Sequence, residues 1–128
     1  MEFTFHRAFD WTPNPLEALK QLMELGAHRV LTSGQETNAE KGLILLKKLK
    51  ELSDGKIKIL SGGGVNESNV ALFKEAGFDE IHASLTTLVP QKHCSRIPMN
   101  SNKHFTESFL VYSDPDKIKS LVKLIAHV

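Results

Sequence analysis

The chain has 128 residues, the length of a single domain, and with 41% hydrophobic and 24% charged residues it has an ordinary globular composition. Its formal net charge of +1 excludes the general electrostatic attraction on which binding to nucleic acid or an anionic membrane depends. No apolar run approaches the ~20 residues of a membrane-spanning helix, and the N-terminus lacks the apolar core of a signal peptide. We therefore expect one domain, residues 1–128, with no nucleic-acid partner and no membrane partner.

Cys94 is the only cysteine. An intramolecular disulfide and a cysteine-rich zinc site are thereby excluded. A chain of this kind is typical of a reducing compartment, and we predict a cytoplasmic location.

Four short β-rich runs recur at a steady interval and are separated by segments of helical periodicity. The alternation of strand and helix predicts βαβ units, and therefore an α/β fold with a parallel sheet. The four predicted strands are Phe3–Phe5, Arg29–Leu31, Ile57–Leu60 and Glu80–His82.

Capping residues mark the helices between the strands. Asn14 followed by Pro15 predicts the start of the first helix, which Gly26 ends. The second helix is expected from about Ala39 to Leu52, the third from near Asn66 to Gly77, and the fourth after Asp114-Pro115.

Residues 85–113 break this rhythm. The segment contains Pro90, Pro98 and polar runs, and it shows no periodicity. A stretch of this length indicates either a functional loop or a disordered one, and we favour partial disorder. Its His93-Cys94 pair would suit copper or zinc if ordered, although idle, solvated side chains are the simpler interpretation.

Polar and glycine residues follow the predicted strands, at the edge where parallel α/β sheets bind ligands. The three glycines Gly62, Gly63 and Gly64 let a backbone approach a ligand closely, and their N–H groups can form an anion-binding concavity. With Arg7 and Ser33 they predict a phosphate or carboxylate site. The alternative is a tight turn without a ligand.

His6, Arg7 and Asp10 form the candidate catalytic group. Arg7 can bind a carboxylate or phosphate through two N–H groups, His6 can transfer protons near neutral pH, and Asp10 can neutralise Arg7 or orient His6. The competing interpretation is a salt bridge with no substrate. His6 and His82 together could hold a metal ion through neutral imidazoles, but no metal-ligand spacing supports this.

Taken in order, Phe-His-Arg-Ala-Phe-Asp (residues 5–10), Leu-Thr-Ser-Gly (31–34), Gly-Gly-Gly-Val (62–65) and Ile-His-Ala-Ser (81–84) resemble the copper homeostasis protein CutC family. The resemblance implies a (β/α)8 TIM-type barrel, a link to cytoplasmic copper handling, copper(I) as a bound ion, and oligomers. Family chains are about twice this length, and this one resembles their C-terminal half. The expected structure is therefore about half a barrel, four parallel strands with helices.

Half a barrel leaves two open sheet edges and, we expect, an exposed inner face of apolar side chains. We predict a homodimer or higher homo-oligomer, since two halves can rebuild an eight-stranded barrel. The leading functional hypothesis is a copper homeostasis protein that binds or carries copper. One alternative is a TIM-barrel-type enzyme acting on a small phosphorylated or carboxylated metabolite, with His6 or His82 as acid or base. The other is an inactive fragment with a structural role.

Overall fold

A computed structural model describes residues 1–92, 97 and 108–126. Four parallel strands form one sheet in the order β1-β2-β3-β4, which confirms the predicted α/β architecture. The strands are β1 (Thr4–Phe5), β2 (Arg29–Thr32), β3 (Lys58–Gly62) and β4 (Ile81–His82).

The helices are α1 (Pro15–Glu24), α2 (Leu43–Ser53), α3 (Val70–Glu75) and α4 (Pro115–Ala126). The predicted cap of α1 is confirmed, since Asn14 Oδ1 accepts a hydrogen bond from the Glu17 N–H at 3.2 Å. Helix α2 begins later than predicted because Gly42 packs against the backbone of Ser33 and Gly34, where no side chain would fit. Helix α3 also begins late, because the Asn66 side chain accepts from the Ser68 N–H and forms a local turn instead.

Strand alternation separates a buried face of the sheet from an uncovered one. Val30 and Thr32 of β2, and Ile59 and Ser61 of β3, are buried, and the helices pack on this side. The hydrophobic core contains Phe9, Leu19, Leu22, Ala27, Val30, Ala39, Leu46, Leu49, Ile57, Ile59, Val65, Val70, Phe73, Phe78 and Leu121.

The uncovered face of the sheet differs from the expected apolar surface. Arg29 and Lys58, which alternate with the buried residues, both form ion pairs with Glu80, at 2.6 Å and 2.7 Å. Arg29 also pairs with Glu2. Only Leu31 and Leu60 place apolar side chains beside this network on the two central strands. These charged side chains therefore allow one end of the uncovered face to be exposed to water without an apolar cover.

Residues 85–113 are regular at the two ends of the segment, where the prediction of an irregular loop is corrected. An antiparallel pair, β5 (Thr86–Pro90) and β6 (Phe109–Ser113), occupies the two ends of this segment. β-Branched and aromatic residues dominate both strands, and these residues favour extended backbone. His93 and Cys94 lie outside the described residues, so their role stays a prediction.

In the described ranges 1–92 and 108–126, none of the helices is long and apolar enough to cross a lipid bilayer.

Candidate functional site

A five-residue 3₁₀ turn, Arg7–Trp11, follows β1 and sets the positions of the candidate catalytic residues. His6 caps this turn, its Nδ1 accepting a hydrogen bond from the Ala8 N–H at 3.0 Å. Phe9 is fully buried and anchors the turn in the core. Arg7 and Asp10 are thereby directed toward the end of β2.

Asp10 is the hydrogen-bond acceptor that organises the edge of the sheet where the parallel strands end, here called the rim, which includes Arg7, Ser33 and Gly63. Its carboxylate receives hydrogen bonds from Arg7 Nε at 2.8 Å, the Ser33 N–H at 3.1 Å and the Gln35 N–H at 3.1 Å. The Thr32 hydroxyl donates to the same carboxylate. The Asp10 side chain is only 6% exposed. A carboxylate this fully hydrogen-bonded holds the loop after β2 and the Arg7 guanidinium in place.

The pKa of Asp10 lies below its ordinary value although burial by itself raises it. The hydrogen bonds from Thr32 and Arg7, together with those from the Ser33 and Gln35 backbone, favour the charged form and outweigh the loss of solvation. Asp10 is therefore ionised at neutral pH, and its lone pairs are engaged by the protein. This arrangement suits a positioning residue better than a general base.

Arg7 is held on two sides and remains accessible on a third. Its Nε contacts Asp10, and its Nη2 donates to Ser33 Oγ at 2.7 Å. The Ser33 hydroxyl in turn donates to the Glu36 carbonyl at 2.7 Å. Within the described part of the chain, Nη1 has no hydrogen-bond partner, and the side chain is 44% exposed. The guanidinium thus presents free donors in a fixed orientation.

The glycine turn after β3 packs directly against this arginine. A Cβ on Gly63 would lie 3.2 Å from Ser33 Cβ and 3.4 Å from Arg7 Nη1. Gly63 also has a φ of +108°, a conformation that side-chain-bearing residues rarely adopt. Its carbonyl accepts from the Ala39 N–H at 2.9 Å, which fixes the turn. The structure therefore brings together Arg7, Ser33 and Gly63, as the sequence predicted.

Gly62 lies between the side chains of the two neighbouring strands. A Cβ at Gly62 would lie 2.5 Å from Leu31 Cδ1 of β2 and 3.1 Å from Cβ of His82, its partner on β4. The missing side chain makes room for both, so this glycine serves packing. A Cβ on Gly64 would lie 3.5 Å from Asn38 Cβ, an ordinary contact.

The structure does not bring His6 and His82 together. His6 follows β1 and His82 ends β4, with β2 and β3 between them, so three strand spacings, about 14 Å measured along the sheet, separate their strands. Moreover, His6 Nδ1 already accepts a hydrogen bond, and a neutral ring in that state carries its proton on Nε2. Among the described residues there is also no group of three or more histidine, cysteine, aspartate or glutamate side chains able to hold a metal ion.

Two cavities open on this rim. One, of about 490 Å³, is lined by Arg7, Ala8, Asp10 and Trp11. The other, of about 400 Å³, is lined by residues 64–68, 84–86 and Lys117. Sequence reasoning missed Lys117 and Gln35, because neither lies in a motif. Gln35 directly follows Thr32-Ser33-Gly34, whose small and polar residues indicate a turn, and this was the available indication for it. In the structure its φ is +59°.

These features define a class of protein: an α/β partial barrel whose parallel strands all end at one polar rim. A model of the CutC family matches residues 1–87. The chain belongs to the CutC family.

Two relatives from bacteria are similar in sequence to nearly the whole of this chain. A CutC family protein of Parabacteroides distasonis is 40% identical over 126 residues, covering 95% of this chain and 52% of that protein. One from Serratia proteamaculans is 40% identical over 131 residues, covering 100% of this chain and 52% of its own length. The present chain thus spans about half the length of these curated relatives.

A solved structure supports the TIM-barrel-like fold. The crystal structure of a CutC from Streptococcus agalactiae, described as a copper homeostasis protein, superposes with a TM-score of 0.60 at 30% identity. The match covers 64% of this chain and 41% of that one.

Proposed function

We propose that this chain acts in copper homeostasis in the cytoplasm and that its rim binds the anionic group of a small ligand through Arg7. The first part rests on the family and on the description of the solved relative. The second rests on one observation, the fixed guanidinium with its free Nη1 beside Gly63.

The chemistry of the rim favours a phosphate or a carboxylate. An arginine presents parallel N–H donors that match two oxygens of such a group. Asp10 balances the arginine charge but engages Nε only, so Nη1 is left for a ligand. The neighbouring cavity of about 490 Å³ is large enough for a small metabolite.

Titration calorimetry with inorganic phosphate, and with a small dicarboxylate as second probe, tests the anion site. Arg7→Gln is expected to weaken binding at least tenfold, because the charge and the N–H pair are both lost. Arg7→Lys is expected to weaken it less, since the charge remains. Lys20→Gln, an equal loss of charge at an exposed position on α1, is the matched control. Absence of binding to the wild-type chain, or equal binding by Arg7→Gln, would refute the site.

Direct copper(I) binding is a second candidate, favoured by the family description alone. The described residues do not fit a copper site, since His6 and His82 lie on opposite edges of the sheet. Competition for copper(I) against a chromogenic chelator, with His6→Ala, His82→Ala and Cys94→Ser variants, measures it. Loss with either histidine variant would support those ligands, whereas loss with Cys94→Ser alone would place the site elsewhere.

A further inference from the structure

We infer that the ligand of this rim carries two anionic groups, and that the second group binds in the cavity between the turn after β3 and Lys117. This inference rests on the proposed anion site at Arg7 and names the class of its ligand, a small molecule with two phosphate or carboxylate groups. Three features of the described residues carry it: a cavity beside the glycine turn, hydrogen-bond donors without an acceptor, and a lysine ammonium.

The cavity has a volume of about 400 Å³ and is bounded by elements that contact one another within this chain. Residues 64–68 follow β3, and residues 84–86 follow β4, which pairs with β3 in the sheet. Lys117 of α4 contributes the remaining wall, and its Nζ donates to the Thr86 carbonyl at 2.8 Å. The walls are therefore held relative to one another, and the volume suits a phosphate group with a short carbon chain.

Two backbone N–H groups of the turn after β3 have no acceptor among the described residues. They belong to Gly64 and Val65, which lie beyond the last residue of β3, and they donate to no backbone or side-chain oxygen there. Val65 is only 3% exposed. Buried N–H groups without a partner are rare, because the lost hydrogen bond to water costs free energy. An anion in the cavity that both residues line would accept from these donors.

Lys117 adds a positive charge to the cavity. Its ammonium has three N–H groups, and two of them donate, to the Thr86 carbonyl at 2.8 Å and to the Thr87 hydroxyl at 3.1 Å. Its carboxylate partner Asp114 is 4.0 Å away, beyond hydrogen-bond distance. One N–H group therefore remains for a ligand, and the charge is balanced only in part.

The segment after β4 presents a hydroxyl from a strained backbone. Ser84 is exposed, and within the described chain its hydroxyl has no hydrogen-bond partner. Leu85, the next residue, has a φ of +48°, which a side-chain-bearing residue rarely adopts and which is more frequent at binding sites. Glu67 is the one acidic residue that lines the cavity, and it is exposed, so solvent screens its charge.

The glycine turn joins this cavity to Arg7. A Cβ on Gly63 would lie 3.4 Å from Arg7 Nη1, and the next residue, Gly64, lines the cavity. Consecutive Cα atoms are about 3.8 Å apart. The free donors of Arg7 and those of the cavity therefore adjoin neighbouring residues of one turn, and a single small molecule with an anionic group at each end can reach both.

Titration calorimetry with ethylene, propylene and butylene bisphosphate, each compared with the monophosphate ester of the same chain, tests the inference. At least one bisphosphate is expected to bind with one molecule per chain and at least tenfold more tightly than its monoester, because its second group binds intramolecularly. Lys117→Gln should abolish this advantage but change the affinity for inorganic phosphate less than threefold, since Arg7 remains. Lys117→Arg should keep part of the advantage. Lys119→Gln, an equal loss of charge at an exposed position on α4, is the matched control.

Far-UV circular dichroism shows whether each variant is folded, and Ser84→Ala replaces Lys117→Gln if the glutamine prevents folding. If Arg7→Gln weakens phosphate binding but no bisphosphate binds more tightly than its monoester, the Arg7 site stands and this inference is overturned. A loss with Lys117→Gln no larger than with Lys119→Gln, or two bisphosphates bound per chain, overturns it as well. If neither phosphate nor any bisphosphate binds the wild-type chain, the proposed anion site fails and this inference fails with it.

Discussion

Replacing Asp10 by asparagine tests the central structural claim, that one carboxylate organises the rim. The asparagine keeps the shape and one acceptor oxygen, but it loses the charge and turns an acceptor toward Arg7 or Ser33 into a donor. Hydrogen bonds to a charged group contribute about 1.5–3 kcal/mol each, and they are not additive. Since the asparagine can still accept from one or two of the donors, we expect a loss of about 2–3 kcal/mol of unfolding free energy.

Urea denaturation measures this loss. With a slope of about 1.5 kcal/mol per molar urea, the midpoint should fall by about 1.3–2 M. Far-UV circular dichroism follows the unfolding, because Trp11, the only tryptophan, is 92% exposed in the folded chain and its fluorescence would change little. Asp79→Asn, at an exposed position, is the matched control. A midpoint change below about 0.3 M for Asp10→Asn would refute the reasoning.

The same residue predicts a pH dependence. Because the pKa of Asp10 is lower in the folded state than in the unfolded chain, its stabilisation is fully present above the unfolded value and is lost as the pH falls through the folded one. Wild-type stability should therefore decline below about pH 4, where an unfolded aspartate begins to protonate. Asp10→Asn should show a shallower decline, and parallel curves for the two proteins would contradict the assignment.

Three further changes probe separate parts of the molecule. Gly63→Ala should weaken phosphate binding measured by calorimetry, because the new alanine Cβ would contact Ser33 and Arg7. Gly26→Ala is the control, since Gly26 also has a positive φ but nothing lies within 4 Å of its Cβ position. It should cost about 1 kcal/mol of stability and leave phosphate binding unchanged. Asn14→Ala removes the cap of α1 and should cost about 1 kcal/mol, visible as a fall of about 4 °C in the calorimetric melting temperature. Glu80→Gln breaks the ion pairs with Arg29 and Lys58 on the uncovered face. It should lower the free energy of unfolding by less than about 1 kcal/mol in dilute buffer and by still less in 1 M salt. A loss that is the same at both salt concentrations would argue against an ionic origin.

Local patterns were sufficient for much of the fold. The Asn14-Pro15 start of α1 and the Asp114-Pro115 start of α4 were predicted because caps act within one turn of the helix. The boundaries of α2 and α3 were not, because Gly42 is constrained by Ser33 and Gly34, and Asn66 by Ser68. The strands at the ends of residues 85–113 were missed for a related reason, since each pairs with a segment distant in sequence.

In the candidate site, too, some features were predictable from the sequence and others were determined only by the fold. Arg7, Ser33 and Gly63 were predicted to be neighbours because parallel strands end at a common edge, and they are in contact. The pairing of His6 with His82 failed to appear because strand order, which no residue pattern records, places them on opposite edges. Lys117 reaches the rim because its Nζ donates a hydrogen bond to the Thr86 carbonyl at 2.8 Å, a contact between residues distant in sequence.

The amino-acid sequence by itself determined the alternation of strands and helices and the polar character of every strand end, since both are properties of neighbouring residues. Only the tertiary structure decided that Asp10 is a buried acceptor rather than a free base, and that the open face of the sheet carries the Arg29–Glu80–Lys58 network. The physical reason is that solvation and charge at a side chain depend on groups brought near it by folding, whereas helix and strand propensity act over a few bonds.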